Sequence, residues 1–432
     1  MKKLLYTFLM ISAAGLVVAQ NPKGTFGTFA LTNANIQTVT KGVVNNGTVV
    51  ISNGIIAAVG TNVQVPQGAE VIDCQGKWVY PGMIDGGTQL GLSEVGSDPR
   101  TQDYNEIGEV IPEMKALVAV NPNSVLIPVA RVNGVTTVLA NPVGGLISGT
   151  SALINLHGYT PDQMYAGFQG IRVNFPTTGR RGGFDRRSDE DIKKAADRAL
   201  KLLNDVWDRV TEFHKLDSAT KGSGLDYYPQ MEALLPAYRG EIPLMIEVNA
   251  SKDIKEALKW IKERKIKKAI LTGVSEGWRA AADIAKARIP VITGPVLSTP
   301  TRDYDRYDRA YANAGLMSKA GVKVAIRSNE TENVRNLPYN AGFAVAYGMD
   351  KEAALNAVTI VPAEIFGVAD QLGSIEVGKT GNVFVTDGDP FETKTAVLHV
   401  FINGWKIPLG TRHTELYDEF LKREPGVSNT KE

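Results

Sequence analysis

Cysteine and histidine are the scarcest reactive residues in this chain: 432 residues contain 1 Cys and 4 His. A lone Cys74 excludes any internal disulfide. It lies in "EVIDCQGKWVY", a strand-like stretch in which a small buried residue is a commoner role than a reactive thiol. Charge of one sign is also lacking, since 47 Lys and Arg face 46 Asp and Glu for a net charge of +1. With no basic stripe interleaved with aromatics, a nucleic-acid partner is excluded. Apolar residues at 43% and charged residues at 22% leave no long disordered segment. The long apolar run is confined to the start, where Lys2 and Lys3 precede "LLYTFLMISAAGLVV". That run is short for a spanning helix of roughly 20 residues. It reads as a secretory signal peptide cut near Ala19, and with no Cys following it a lipid anchor is not expected. The mature protein is therefore expected in the periplasm or outside the cell, without a membrane span.

Two β-rich ends flank a different middle. "TFALTNANIQTV", "GTVVISNGIIAAVG" and "AEVIDCQGKWVY" are short apolar or alternating runs broken by turn residues, and the texture returns at "GNVFVTDGDP" and "AVLHVFINGWKI". Between them, β-branched runs such as "GVTTVLAN", "SALINL", "IRVNFP", "PLMIEVN", "KAILTG", "PVITGP" and "KVAIRSN" follow "VYPGMID", several separated by helical patterns. The clearest helix runs from Asp191 to Lys215, with Ile192, Ala196, Ala199, Leu203, Val206, Val210 and Phe213 at helical spacing and Ser188 placed to start it. Such alternation predicts an α/β fold with a parallel sheet, and about eight strand candidates favour a (β/α)8 barrel over a doubly wound sheet.

In a barrel, chemistry sits at the carboxyl ends of the strands. The first strand brings Asp85, Gly87 and Gln89 there, the second Asn141, a later one Glu247 and Asn249, the next Thr272, and the last Asn329 and Glu330. These are pocket candidates dominated by amides and hydroxyls. A hydrolytic zinc site needs imidazole, thiolate or carboxylate ligands, and none of His157, His214, His399 and His413 falls at a strand end. No nucleophile-elbow pattern supports a serine triad. "NPVGGLISGTSALI" matches neither glycine-rich phosphate motif and reads as a tight loop at the barrel mouth. "GRRGGFDRRSDEDIKK", with Arg180, Arg181, Arg186 and Arg187, is either a lid that meets an anionic ligand or a solvated loop.

Beyond these readings, "VIDCQGKWVYPGMIDGGTQLG", "VARVNGVTTVLANP", "IPLMIEVNASKDI", "AILTGVSEG", "AGVKVAIRSN", "NLPYNAGFAVAYGM" and "AVTIVPAEIFGVADQLGSIEVGKTGNVFVTDGDP" together resemble the amidohydrolase superfamily, notably its secreted bacterial branch similar to imidazolonepropionase and prolidase. The resemblance implies a metal-binding TIM-like barrel with a small β-sandwich formed from both chain ends. In residue numbers it implies a signal peptide at 1–19, sandwich segments at 20–80 and 366–412, a barrel at 81–365 and a tail at 413–432. The departures are systematic. Gly87 and Gln89 stand where the family carries His-x-His, Glu247 and Thr272 where histidines end strands, and Asn329 where an aspartate serves as base. A branch of these secreted proteins has a similar loop in place of His-x-His.

Two functions follow. One is a metal-free, non-catalytic relative that binds an amide or peptide-like ligand, or serves as partner subunit of a catalytically intact paralogue, with homo-oligomers also possible. The other is a hydrolase of carbon–nitrogen bonds with an altered site. There, Asp85 and Glu247 with Gln89 and Asn329 would hold a hard divalent ion, or Glu247 would act as a general base.

Overall fold

The computed structural model describes residues 24–179, 185–220, 226–302 and 304–423. The chain ends build one nine-stranded sheet from β1 (Thr25–Phe26), β2 (Phe29–Gln37), β3 (Val43–Ser52), β4 (Ile55–Gly60), β5 (Glu70–Asp73) and β6 (Trp78–Pro81), together with the three carboxyl-terminal strands β15 to β17, whose ranges are Val383–Thr386, Val397–Ile402 and Trp405–Ile407. The expected sandwich is one hydrogen-bonded sheet because β2 pairs with β5 along its first half and with β6 along its second. Strand β2 buries Phe29 and Leu31, then Ala34 and Ile36. The change of parity falls at a bulge between Leu31 and Ala34, where Asn33 takes φ 53°. An extra residue there re-aims the second half of the strand onto the same core. Cys74 is buried in that core, and burial pushes its thiol up to about 11, so it acts as a small apolar residue.

The middle of the chain forms an eight-stranded sheet of β7 (Met83–Thr88), β8 (Val135–Ala140), β9 (Ile147–Asn155), β10 (Tyr165–Asn174), β11 (Leu244–Val248), β12 (Ala269–Gly273), β13 (Val291–Thr293) and β14 (Val324–Ile326), in that order. Its first and last strands come together where the Asn329 N–H donates to the Gly87 carbonyl at 3.0 Å and the Ser328 N–H to Asp85 Oδ1 at 3.0 Å. The sheet is a nearly closed barrel. One strand departs from the all-parallel expectation, because β9 is antiparallel to both β8 and β10. The connection from β8 is only residues 141–146, too short for the crossover that a parallel neighbour requires, which is about a dozen residues.

Strand parity decides what faces the barrel axis. Ile84, Leu139, Leu153, Met245, Ile270, Ile292 and Ala325 form an apolar interior cluster with Ala363, Phe366, Val368 and Leu372. The short helix Ile360–Ile365 and the residues after it plug this lower end, and Phe366 lies 4.6 Å from Phe168 between ring centroids. The plug extends past residue 365. Two positions further along the strands the same parity brings Asn141, Glu247, Thr272 and Arg327 to the upper layer.

The long helix spans Asp189–Thr220, somewhat more than its sequence pattern predicts. Ser188 Oγ accepts from the Asp191 N–H at 3.0 Å, as the cap reading requires. The stretch read as a tail includes a helix, Arg412–Leu421, capped by Thr411. Among the described residues no helix is long and apolar enough to cross a membrane. The signal-peptide reading falls on residues outside the described ones.

Candidate functional site

At the carboxyl ends of the barrel strands, Glu247 on β11 is held by two arginines. Arg327, just past β14, donates Nη1 to Oε2 and Nη2 to Oε1, both at 2.8 Å. Arg172 on β10 donates Nη2 to Oε2 at 3.0 Å, and the Thr272 hydroxyl donates to the same oxygen at 2.7 Å. Arg172 and Arg327 are only 4% and 2% exposed. Burial works against the charge on Glu247, but the guanidiniums of Arg327 and Arg172 outweigh it and hold the carboxyl well below the usual range. A doubly paired carboxylate held below its usual range is a poor general base.

Around this cluster the backbone leaves little room. A Cβ on Gly87 would collide with Asn141 Nδ2 and come within 3.3 Å of Arg327 Cδ. Gly273 has φ 82°, and a Cβ there would lie 2.6 Å from both Asn249 Oδ1 and Glu247 Oε1. Asp85 is fully buried, with Oδ1 accepting from Gly87 and Ser328 N–H groups. Burial pushes its carboxyl up to about 6, although the Ser328 and Gly87 hydrogen bonds and the Arg327 charge oppose the shift. Asn141, 1% exposed, has neither amide atom hydrogen-bonded among the described residues.

Two cavities meet above the cluster. One of about 340 Å³ is lined by Gln89, Tyr104, Arg172, Glu247 and Asn329, among others. The other, about 320 Å³, is lined by Glu247, Asn249, Trp278, Arg309, Arg327 and Asn329. Both signs of charge are present in each. The arrangement suits a small polar ligand that offers donors and acceptors together.

The sequence candidates therefore divide. Gln89, Glu247, Asn249 and Asn329 line the cavities, whereas Asp85, Gly87, Asn141 and Thr272 are buried and lie in the layer beneath. Glu330 is exposed and lines neither, its carbonyl accepting from the Thr88 hydroxyl. Of the oxygen set considered for a hard ion, Gln89, Glu247 and Asn329 line one cavity and Asp85 is buried outside it; both Glu247 oxygens accept from arginines, so a divalent ion there would face two fixed positive charges. Among the described residues, no three His, Cys, Asp or Glu side chains come together as a metal cluster. None of the histidines lines either cavity. His157 is buried against Trp405, and His214 packs against Tyr238 with ring centroids 5.0 Å apart. His399 is half-buried on β16, and His413 is exposed on the last helix.

Arg172 and Arg327 were missed by reading strand ends alone. Their signal was available, since each is a single arginine in an apolar strand, in "IRVNFP" and "KVAIRSN". Such a charge is almost never buried unless paired. Of the Arg-rich loop, Arg180 and Arg181 lie outside the described residues, Arg186 is exposed and Arg187 pairs with Asp185 at 2.6 Å.

Residues 295–406 match the amidohydrolase family model. Amidohydrolase tasK of Hapsidospora irregularis is 24% identical over 404 residues, an alignment covering 83% of this chain but only 39% of that protein's length. Imidazolonepropionase of Geobacillus kaustophilus is 27% identical over 383 residues, covering 80% of this chain and 84% of the relative. The crystal structure of an amidohydrolase from Thermotoga maritima superposes with a TM-score of 0.77 at 25% identity, over 88% of this chain and 99% of that one. The barrel, the family model and these relatives agree in making the chain similar to proteins of the amidohydrolase superfamily.

Proposed function

We propose that this chain is an exported, metal-free amidohydrolase relative whose barrel mouth binds a small amide or peptide-like ligand, alone or as partner subunit of a metal-bearing paralogue. The observation that carries the reading is the Arg172–Glu247–Arg327 cluster, which places two guanidiniums where the superfamily resemblance puts a metal centre. A carboxylate paired with two arginines is a poor metal ligand and a poor base, while the paired charges can hold an amide's carbonyl and N–H.

The test has two parts. Metal content is measured on untagged protein equilibrated in turn with zinc, manganese and calcium; the reading expects well under one equivalent of each, and one tightly held equivalent overturns it. Thermal shift against a panel of cyclic amides and dipeptides is then expected to find a ligand for the wild type that Arg327→Met does not bind. The export part is checked by sequencing the amino terminus of protein recovered from the cell envelope or medium, expected near residue 20.

A second reading is a hydrolase of carbon–nitrogen bonds, favoured by relatives that are named as an amidohydrolase and an imidazolonepropionase. Turnover of any member of the same panel that Arg327→Met abolishes decides for it.

A further inference from the structure

A second large cavity among the described residues is at the opposite end of the barrel from the mouth. It is a cleft of about 1480 Å³ lined by the residues that begin β11, β12 and β13 and by the helices beside them. Ordinary small-molecule sites span about 300–1,000 Å³, so this cleft is large for a metabolite. Its lining carries eight Lys or Arg against three Asp or Glu, a surplus of five positive charges in a chain whose total is +1.

The surplus has a structural origin in the stretch "KDIKEALKWIKERKIKK". In the helix Ser251–Glu263, Lys255, Lys259 and Lys262 recur at positions i, i+4 and i+7 and so share one face. Lys286 and Arg288 add to it from the end of the helix Gly277–Ala287. Lys255 pairs with Asp283 at 3.4 Å, but among the described residues Lys259, Lys262, Lys265, Lys286 and Arg288 form no salt bridge. Cations at helix carboxyl ends offset a dipole charge of about −0.5 per helix, which two helix ends cannot bring to five. Beneath the lysine rim the lining is apolar, with Phe168, Ile242, Ile266, Ile289 and Phe366.

We infer that this cleft is a docking site for an extended acidic polypeptide segment of a partner protein, its carboxylates on the lysine rim and its apolar side chains on the floor. Charge complementarity calls for an acidic occupant. The apolar floor favours a polypeptide over a polysaccharide, which has no comparable side chains to bury. The inference is independent of what the mouth binds.

The probe is a fluorescein-labelled peptide of repeated Glu-Glu-Leu triplets, with a Gln-Gln-Leu version as control, read by fluorescence anisotropy on the full chain. The Glu peptide is expected to bind about tenfold or more tightly than the Gln peptide, and to weaken steeply as salt rises from about 0.05 to about 0.5 M. The triple change Lys259→Glu, Lys262→Glu and Lys286→Glu should abolish binding. Replacing the same three by Arg should keep it, and Lys193→Glu with Lys394→Glu, neither of which lines the cleft, should leave it unchanged. Circular dichroism melts establish that each variant is folded. Equal binding of the two peptides overturns the proposal. So does heparin competing at far lower concentration than the Glu peptide, which assigns the cleft to a polysaccharide. Self-association removed by the triple change, seen in sedimentation, would assign it to a second copy of this chain.

Discussion

Glu247→Gln leaves Arg172 and Arg327 as buried charges with no carboxylate, and losing one partner of a buried pair costs about 3–5 kcal/mol. Urea unfolding of this variant is expected to show that loss; a change within error would mean that water reaches the cluster. The two buried carboxyls also give opposite pH dependences. Glu247 is held below its ordinary value, so its contribution is present above the unfolded-state value and is lost as pH falls through the folded one. Asp85 is pushed up to about 6. Between its ordinary value of about 4 and that value, the folded chain holds a proton the unfolded chain has released, so stability falls as pH rises. Asp85→Asn should flatten that limb of a stability profile taken from about pH 4 to about pH 7. Gly87→Ala, which drives a Cβ into the Asn141 amide, should cost about 1–3 kcal/mol by overpacking. By the same collision, a histidine at position 87 would fit only if the Asn141 side chain moved.

At the scale of elements, the plug that closes the lower barrel packs Ala363, Phe366, Val368 and Leu372 into the interior cluster, with Phe366 against Phe168. Phe366→Ala removes the partner of Phe168 and opens a void in the interior cluster, with an expected loss of about 3–5 kcal/mol in chemical denaturation. The long helix is more tolerant, because its cap is exposed and its hold on the barrel comes from Leu203, Val206, Trp207 and Val210. Ser188→Ala should therefore cost only about 1 kcal/mol. The antiparallel β9 shows the same economy of chain. A glycine-rich connection of residues 141–146 can turn a strand back but cannot carry it over the sheet, so the hairpin replaces a crossover helix and brings Asn141 to the floor of the mouth.

At the scale of the whole molecule, the two chain ends depend on each other, since β15 is hydrogen-bonded between β6 and β16. Asn382, just before β15, also donates to Asn155 of the barrel at 2.9 Å and accepts from the Asn403 N–H at 2.7 Å. A chain ending at residue 380 should be insoluble, and supplying the missing segment as a separate fragment should rescue it only if present during folding. Much of this architecture was legible beforehand. Period-two runs at both ends, β-branched runs alternating with helical patterns, and the spacing from Ile192 to Phe213 report burial on one face of a local element, which is a property of neighbouring residues. They determined the fold class, the barrel with its separate sheet, and which residues end its strands. The sequence also determined that histidines are missing from those ends. The tertiary structure alone decided that Glu247 meets Arg172, 75 positions away, and Arg327, 80 positions away. It likewise decided that Gln89 and Asn329 line a cavity while Asp85 and Thr272 lie beneath it. Periodicity gives the face a side chain takes on its own strand. Which charge stands across the barrel depends on strand order and stagger, and those are fixed only when the sheet closes.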